Sequence, residues 1–280
     1  MLYIPHCGLA TVEHNIATTS AELGTSVASH ATTAHTKNAT YTQLIAATAY
    51  DAYGIAVTVA NTATASTRTS VLVDIAIGAA SSEQVIIPNL IAGNQAASAT
   101  TSLGGSTYYF PIMIPKGVRV SATAQSVIVA DTVHVAVHLF QHPIHGVWYG
   151  QRVTAYGADT ATSSGTSMSP GSSTYATDVS VSASTTNPIQ FLQVGTDLLT
   201  NSAGTTLRGL LRISTGTTPN VLVDDLPYFE STTLESTYFT PANMLLSQMR
   251  FDIPAGTNLK ISAMRNGTAA TRGWALYGVD

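Results

Sequence analysis

Four short segments recur in the same order in the two halves of the chain. The first half carries Val73-Asp-Ile-Ala-Ile-Gly78, Val85-Ile-Ile-Pro-Asn-Leu90, Ile112-Met-Ile-Pro-Lys-Gly117 and Val118-Arg-Val-Ser-Ala122. The second half answers with Leu211-Arg-Ile-Ser-Thr-Gly216, Val221-Leu-Val-Asp-Asp-Leu226, Phe251-Asp-Ile-Pro-Ala-Gly256 and Leu259-Lys-Ile-Ser-Ala263. Ile75 matches Ile213 at an offset of 138, and Ile114 matches Ile253 at an offset of 139. Inside each block the spacer differs by two residues between the halves, which keeps a strand's inward side chains inward, whereas a one-residue change would turn every side chain to the other face. A period this long describes a repeated domain of about 110 residues, well beyond a solenoid unit of 20 to 50.

Within each half the segments read as strands. Apolar and small polar residues alternate in Ile55–Val59, Val127–Val129, Val133–Leu139 and Val179–Ala183, which are rich in β-branched types. Helical periodicity is nearly absent. The Ile-Pro-x-Gly element at Pro115/Gly117 and Pro254/Gly256 is a turn signal, since proline removes a ladder N–H and glycine permits positive φ. The expected fold is therefore all-β, with two tandem, duplicated, jelly-roll-like β-sandwiches. Residues 1–38 fit neither half, and their Ala/Thr/Ser-rich stretch with His30 and His35 predicts an extended N-terminal arm. Residues 39–156 and 174–280 make the two sandwiches, and the Gly/Ser/Thr-rich run 157–173 is expected to link them.

Composition narrows the function. Only 9% of the 280 residues are charged, against about 25% in an average soluble domain, and Thr, Ser and Ala take up the difference. With 11 Lys+Arg, 15 Asp+Glu and no basic run, nothing resembles a phosphate-neutralising surface, so no nucleic-acid partner is expected. Met1–Ala10 lacks the basic and continuous apolar regions of a secretory signal, and Val127–Phe140 is too short and too interrupted to span a membrane. The single cysteine, Cys7, cannot form an intramolecular disulfide.

The same scarcity of charge argues against an enzyme, and no catalytic residue or cofactor is expected. Asp224-Asp225 is the only adjacent acid pair; strand neighbours point to opposite faces, so the pair reads as the opening of a turn. Gly165-Thr-Ser-Met-Ser169 lacks the last glycine of a nucleophile elbow. His134 and His138 alternate with apolar residues on one strand and stand about 13 Å apart, too far for one metal. His142 and His145 share a Pro143/Gly146 loop and are the candidate metal ligands, within the chain or around a symmetry axis. Tyr108, Tyr109, Trp148 and Tyr149 combine apolar area with a polar tip, which suits either stacking on a glycan or a subunit interface.

The run Val73–Leu90, with Tyr108–Gly117 and Arg119–Ala122, resembles structural proteins of tailed bacteriophage virions. The resemblance implies an all-β, oligomeric, non-enzymatic subunit of tail, fibre, collar or capsid-decoration type, located in the virion after assembly in the host cytoplasm. Its expected partners are capsid, neck or tail proteins and further copies of itself, met through the arm and the sandwich faces. Two alternatives stay open at this point: a carbohydrate-binding adhesin that meets a host-surface glycan, and a hydrolase on an all-β scaffold.

Overall fold

The computed structural model describes residues 12–16, 24–61, 70–92, 105–142, 149–198, 206–231, 236–238, 243, 245–247, 249–267 and 271–280. In the first unit, β1 (Val12–His14) and β2 (Thr25–Ala28) both lie along β9 (Thr132–Phe140), which pairs in turn with β4 (Gly54–Asn61) and, beyond it, β7 (Gly105–Phe110). The facing sheet runs β3 (Thr42–Ile45), β8 (Val120–Ser126), β5 (Val71–Ile77), β6 (Gln84–Ile91). Alternation sends Ile55, Val57, Val133, Val135 and Val137 into the space between the sheets, where they are buried with Val73 and Ile75.

The second unit is wired in the same way. Here β10 (Val153–Tyr156) and β12 (Ser164–Met168) lie along β20 (Arg272–Val279), which pairs with β15 (Phe191–Leu198), while β11 (Ala158–Asp159) continues from β12. Its facing sheet runs β14 (Val179–Ser182), β19 (Leu259–Arg265), β16 (Thr206–Thr215), β17 (Asn220–Ser231), with β13 (Gly171–Ser172) added parallel on β19. One strand is placed differently: β7 pairs with β4, whereas β18 (Ser236–Tyr238) pairs with the end of β17. Two facing sheets with this crossed-over order are the jelly-roll arrangement, so the expected all-β, jelly-roll-like fold is the observed one.

The correspondence reaches individual backbone irregularities. Val73 pairs with Leu90 and Ile75 with Ile87; Leu211 pairs with Leu226 and Ile213 with Val223. The same bulge thus interrupts both ladders, and the residue that absorbs it has positive φ in each, Asn89 at 54° and Asp225 at 55°. Asn and Asp tolerate this region better than other side-chain-bearing residues. Asp224-Asp225 therefore lies inside β17 and does not open a turn, a difference the bulge explains. The fourth repeated segment shifts as well: Val120, not Val118, occupies the place of Leu259, because Ala122 pairs with Ile75 as Ile261 pairs with Ile213.

Three further expectations change. The described parts of the 1–38 arm are not free: β1 and β2 are sheet strands, and the His35 and Asn38 N–H groups donate to the Ser126 and Ala124 carbonyls at 2.8 and 3.1 Å. Residues 157–173 are not a plain linker either, since β11, β12 and β13 fall there and Ser173 donates to Arg265 as His35 does to Ser126. Small hydroxyl residues mimic linker composition while still pairing as strands. Finally, Val127–Ala130 is the turn between β8 and β9, with Val129 45% exposed.

The Ile-Pro-x-Gly turns owe their geometry to a threonine that sequence reading did not single out. Thr48 Oγ1 donates to the Pro115 carbonyl at 2.6 Å and accepts from the Val118 N–H at 3.2 Å, while the Gly117 N–H donates to the Thr48 carbonyl at 2.9 Å. Thr185 repeats all three contacts with Pro254, Thr257 and Gly256 at 3.0, 3.1 and 2.8 Å. Both glycines have φ of 80°, a region closed to most side chains. Thr185→Val keeps the shape and leaves the Thr257 N–H short of a partner at a site only 3% exposed, while the Pro254 carbonyl keeps the Thr257 hydroxyl at 2.7 Å. The expected loss is about 1–2 kcal/mol in urea unfolding, with the same sign for Thr48→Val; no change in either midpoint would show that the turn does not need its hydroxyl.

Candidate functional site

Two surfaces collect the polar and aromatic groups that sequence reading singled out. The first is the buried junction between the units. The outer side of β20 and β15, through Phe191, Ala275, Tyr277 and Val279, joins the core of the first unit, whereas Trp274, Leu276 and Val194 on the inner side pack in the second. Alternation along one strand thus serves two cores at once.

Tyr108 was a candidate for glycan contact; it is fully buried in this junction and unavailable to a sugar. Its hydroxyl donates to the Ile91 carbonyl at 2.7 Å, and its ring meets Tyr277 edge-on at 5.3 Å. The Tyr277 hydroxyl accepts from the Ile91 N–H and donates to the Asn89 carbonyl, each at 2.9 Å. These bonds complete the ladder valences of β6 that its own sheet leaves open. Burial raises the pKa of both phenols, so both stay protonated donors. Tyr109 is half-buried between Phe140 at 5.9 Å and Phe191 at 6.1 Å, both edge-on, which makes it a junction residue as well.

A polar strut closes each side. Asn243, in a helical turn, accepts from the Val194 N–H at 2.9 Å and donates to the Val194 and Thr107 carbonyls at 3.1 and 3.2 Å. Gln125 Nε2 donates to the Thr160 carbonyl at 2.8 Å and to Ser163 Oγ at 3.0 Å, and His35 Nδ1 meets the same hydroxyl at 3.0 Å. No motif signals these struts, because each joins residues far apart in sequence through a single amide or hydroxyl.

The second surface is an open groove of about 610 Å³ lined by Tyr149, Gly150, Gln151, Arg152, Pro188, Gln190 and Asp280. Tyr149 is exposed and leans on Tyr53 with ring centroids 5.0 Å apart. Arg152 reaches Asp280 Oδ2 through Nε and Nη2, both at 3.2 Å, and keeps most of its side chain in solvent. An exposed aromatic beside amide and guanidinium donors can bind a polar ring-shaped ligand; no proton-transfer pair faces the groove at hydrogen-bond distance among these residues. Trp148 lies outside the described residues.

The histidines group otherwise than their spacing implied. His142 is exposed, and His145 lies outside the described residues, so the candidate metal pair is not assembled here. His138 meets His14 instead: the two stand opposite in the β1–β9 register, with rings 5.7 Å apart and tilted by 48°. Burial and then the charge of His14 lower the pKa of His138. A cross-strand pair of this kind carries no sequence signal until the register is known. Among the described residues no group of three or more His, Cys, Asp or Glu can hold a metal ion, and no helix is long and apolar enough to cross a membrane.

Further ion pairs among the described residues join Lys37 to Asp74 at 2.6 Å, Arg119 to Glu83 at 2.7 Å and Arg212 to Asp224 at 2.9 Å. The guanidinium of Arg212 also lies over the Tyr175 ring at 3.9 Å.

No family model matches the chain, and no curated protein matches it by sequence. Among solved structures it is similar to that of PNGF-II (7% identity, 96% of this chain and 65% of that chain, TM-score 0.31). It is also similar to a structure of the triple jelly roll fold and turret assembly in an archaeal virus (12% identity, 92% of this chain and 59% of that chain, TM-score 0.21). A third similarity is to the Macrobrachium rosenbergii nodavirus (8% identity, 98% of this chain and 92% of that chain, TM-score 0.18). The chain spans 65% and 59% of the length of the first two. The fold assignment rests on the observed strand pairing.

Proposed function

We propose that the chain is a non-enzymatic structural subunit of a virion, of the tailed-bacteriophage kind its sequence resembles, and that it works by assembly with copies of itself and with capsid, neck or tail proteins. The observation that carries this reading is the pair of like-wired jelly rolls, joined by a buried junction of tyrosines and backbone groups. Jelly rolls of this kind build viral capsids and lectins. A body with two equivalent sandwiches offers two sets of similar faces to neighbours, which is what a repeating structure uses. Each edge strand also exposes a valine at the same place, Val85 at 43% and Val221 at 43%, and an unpaired strand edge can pair with another chain.

The experiment is mass spectrometry and sedimentation of particles purified from the culture that encodes the chain. The expected result is a fixed stoichiometry in the particle, with labelled antibody marking its radial position as shell, collar, tail or fibre. A chain absent from the particles, and monodisperse as a monomer in light scattering, overturns the reading.

A second reading, glycan binding, has one observation in its favour: exposed Tyr149 at the rim of the polar groove with Gln151, Gln190 and Arg152. It predicts glycan-array binding that Tyr149→Ala abolishes, and silence across a broad array removes it.

A further inference from the structure

The strand repeat puts Asn266 where the first unit has Val127. Each follows the last residue of a matched strand, Arg265 of β19 and Ser126 of β8. The Asn266 N–H donates to the Arg208 carbonyl at 3.1 Å, and the Val127 N–H donates to the Ser70 carbonyl at the same distance. The strand end is therefore made without an asparagine in the first unit, and the amide present in the second is not needed for it. Of the chain's asparagines only Asn266 precedes a glycine; the others precede Ile, Ala, Thr, Leu, Gln, Pro, Ser, Val or Met.

The surroundings make this amide reactive toward its own backbone. Asn266 and Gly267 are both exposed, so water reaches them. Gly267 has φ of 123°, and without a Cβ it leaves its nitrogen open to the Asn266 side chain. Asn266 Oδ1 accepts from the Arg208 N–H at 2.8 Å, so negative charge that develops on this oxygen meets a donor already in place. Asn266 Nδ2 makes no hydrogen bond among the described residues, whereas Asn15, Asn38, Asn243 and Asn258 each donate through Nδ2.

We propose that Asn266 is a modification site at which the chain deamidates itself, with water as the one co-reactant. The Gly267 nitrogen attacks Asn266 Cγ and the new C–N bond closes a five-membered succinimide. The Cγ–Nδ2 bond breaks, and the proton from the Gly267 nitrogen leaves with Nδ2 as ammonia. Water then adds to one of the two imide carbonyls. Opening at Cγ restores the ordinary backbone with aspartate, and opening at the backbone carbonyl gives isoaspartate, whose main chain runs through the former side chain. The aspartate keeps an acceptor for the Arg208 N–H and adds one negative charge. The isoaspartate adds a backbone atom directly after β19. Beside residue 266 lies an open groove of about 490 Å³ whose lining holds Leu210, Pro227, Met264, Arg208 and Arg265 and no acid, so either product brings a carboxylate to a rim without one. Deamidation at this site proceeds whatever the chain assembles with.

The test stores the purified full chain at pH 8 and 37 °C for several weeks and follows it by ion exchange and peptide mapping. The chain is expected to gain one negative charge, and the peptide carrying residue 266 to gain about 1 Da and to separate into aspartate and isoaspartate forms. Every other asparagine is expected to be converted at least about tenfold less. Asn266→Val, which copies the first unit, is expected to keep the wild-type circular-dichroism spectrum and to lose the drift in charge. Asn266→Gln is a second control, because its longer side chain closes the larger ring far more slowly, and Asn266→Asp is expected to elute with the aspartate form from the outset. An Asn266 that stays intact, conversion as fast at another asparagine, or a drift in charge that persists in Asn266→Gln overturns the proposal. Aspartate without isoaspartate overturns it as well, since that product comes from direct hydrolysis and not from the ring.

Discussion

Replacing Tyr277 with alanine is expected to cost about 4 kcal/mol of stability, in the range of large aromatic truncations in well-packed cores. The ring is fully buried and meets Tyr108 and Phe110 edge-on at 5.3 and 6.2 Å. Its hydroxyl also serves the Ile91 N–H and the Asn89 carbonyl, which belong to the other unit. Truncation therefore removes packing and hydrogen bonds at the one surface that makes the two sandwiches unfold together. The expected signature is a urea transition that is single in the wild type and becomes biphasic in Tyr277→Ala, as each unit unfolds on its own. Tyr277→Phe separates the two contributions: it keeps the ring and leaves an N–H and a carbonyl unmet, at about 1–3 kcal/mol. A loss below about 1 kcal/mol in Tyr277→Ala, with one transition, would mean that the struts through Asn243 and Gln125 hold the units together without it.

The junction also shows where sequence reading stops. Strand content was legible because alternation such as Val133-His-Val-Ala-Val-His-Leu139 has one physical meaning, and the repeated Ile-Pro-x-Gly gave the turns. One early strand of each unit was not legible: Thr25–Ala28 and Ser164–Met168 are short, hydroxyl-rich and held by pairing to β9 and β20, a long-range cause that local composition does not record. Tyr108 and Tyr277 present the same difficulty. A tyrosine bound for a glycan and one bound for a buried carbonyl look alike until the neighbouring strand is placed. The threonines of the turns, Thr48 and Thr185, stand 67 and 69 residues from the prolines they serve, so the motif was visible and its anchor was not.

Low charge density acquires a sharper sense once the pairs are mapped. Lys37, Arg119 and Arg212 each face a carboxylate, and β4 and β9 carry no Lys, Arg, Asp or Glu, so their outer side can be covered without stranding one of these ions. Burial of one acid has a measurable consequence. Asp197, at the end of β15, is fully buried, and desolvation pushes its carboxyl up to about 6, although the Gly273 N–H at 3.0 Å and the nearby Arg272 charge pull it back. The folded state then holds a proton that the unfolded chain has released, between the ordinary carboxylate value of 3.8 and about 6. Stability from this group is fully present below that window and is lost as pH rises through it, by up to about 3 kcal/mol. His138, whose pKa is lowered, acts in the opposite sense as pH falls, and so do Glu83 and Asp224 at lower pH, so the melting profile of the wild type alone does not isolate Asp197. The difference between the wild type and Asp197→Asn does. The asparagine still accepts from Gly273 but cannot ionise, so its melting temperature is expected to gain on the wild type as pH rises from 5 to 7.5. Parallel profiles across that range would show that Asp197 ionises in the folded protein as readily as in water.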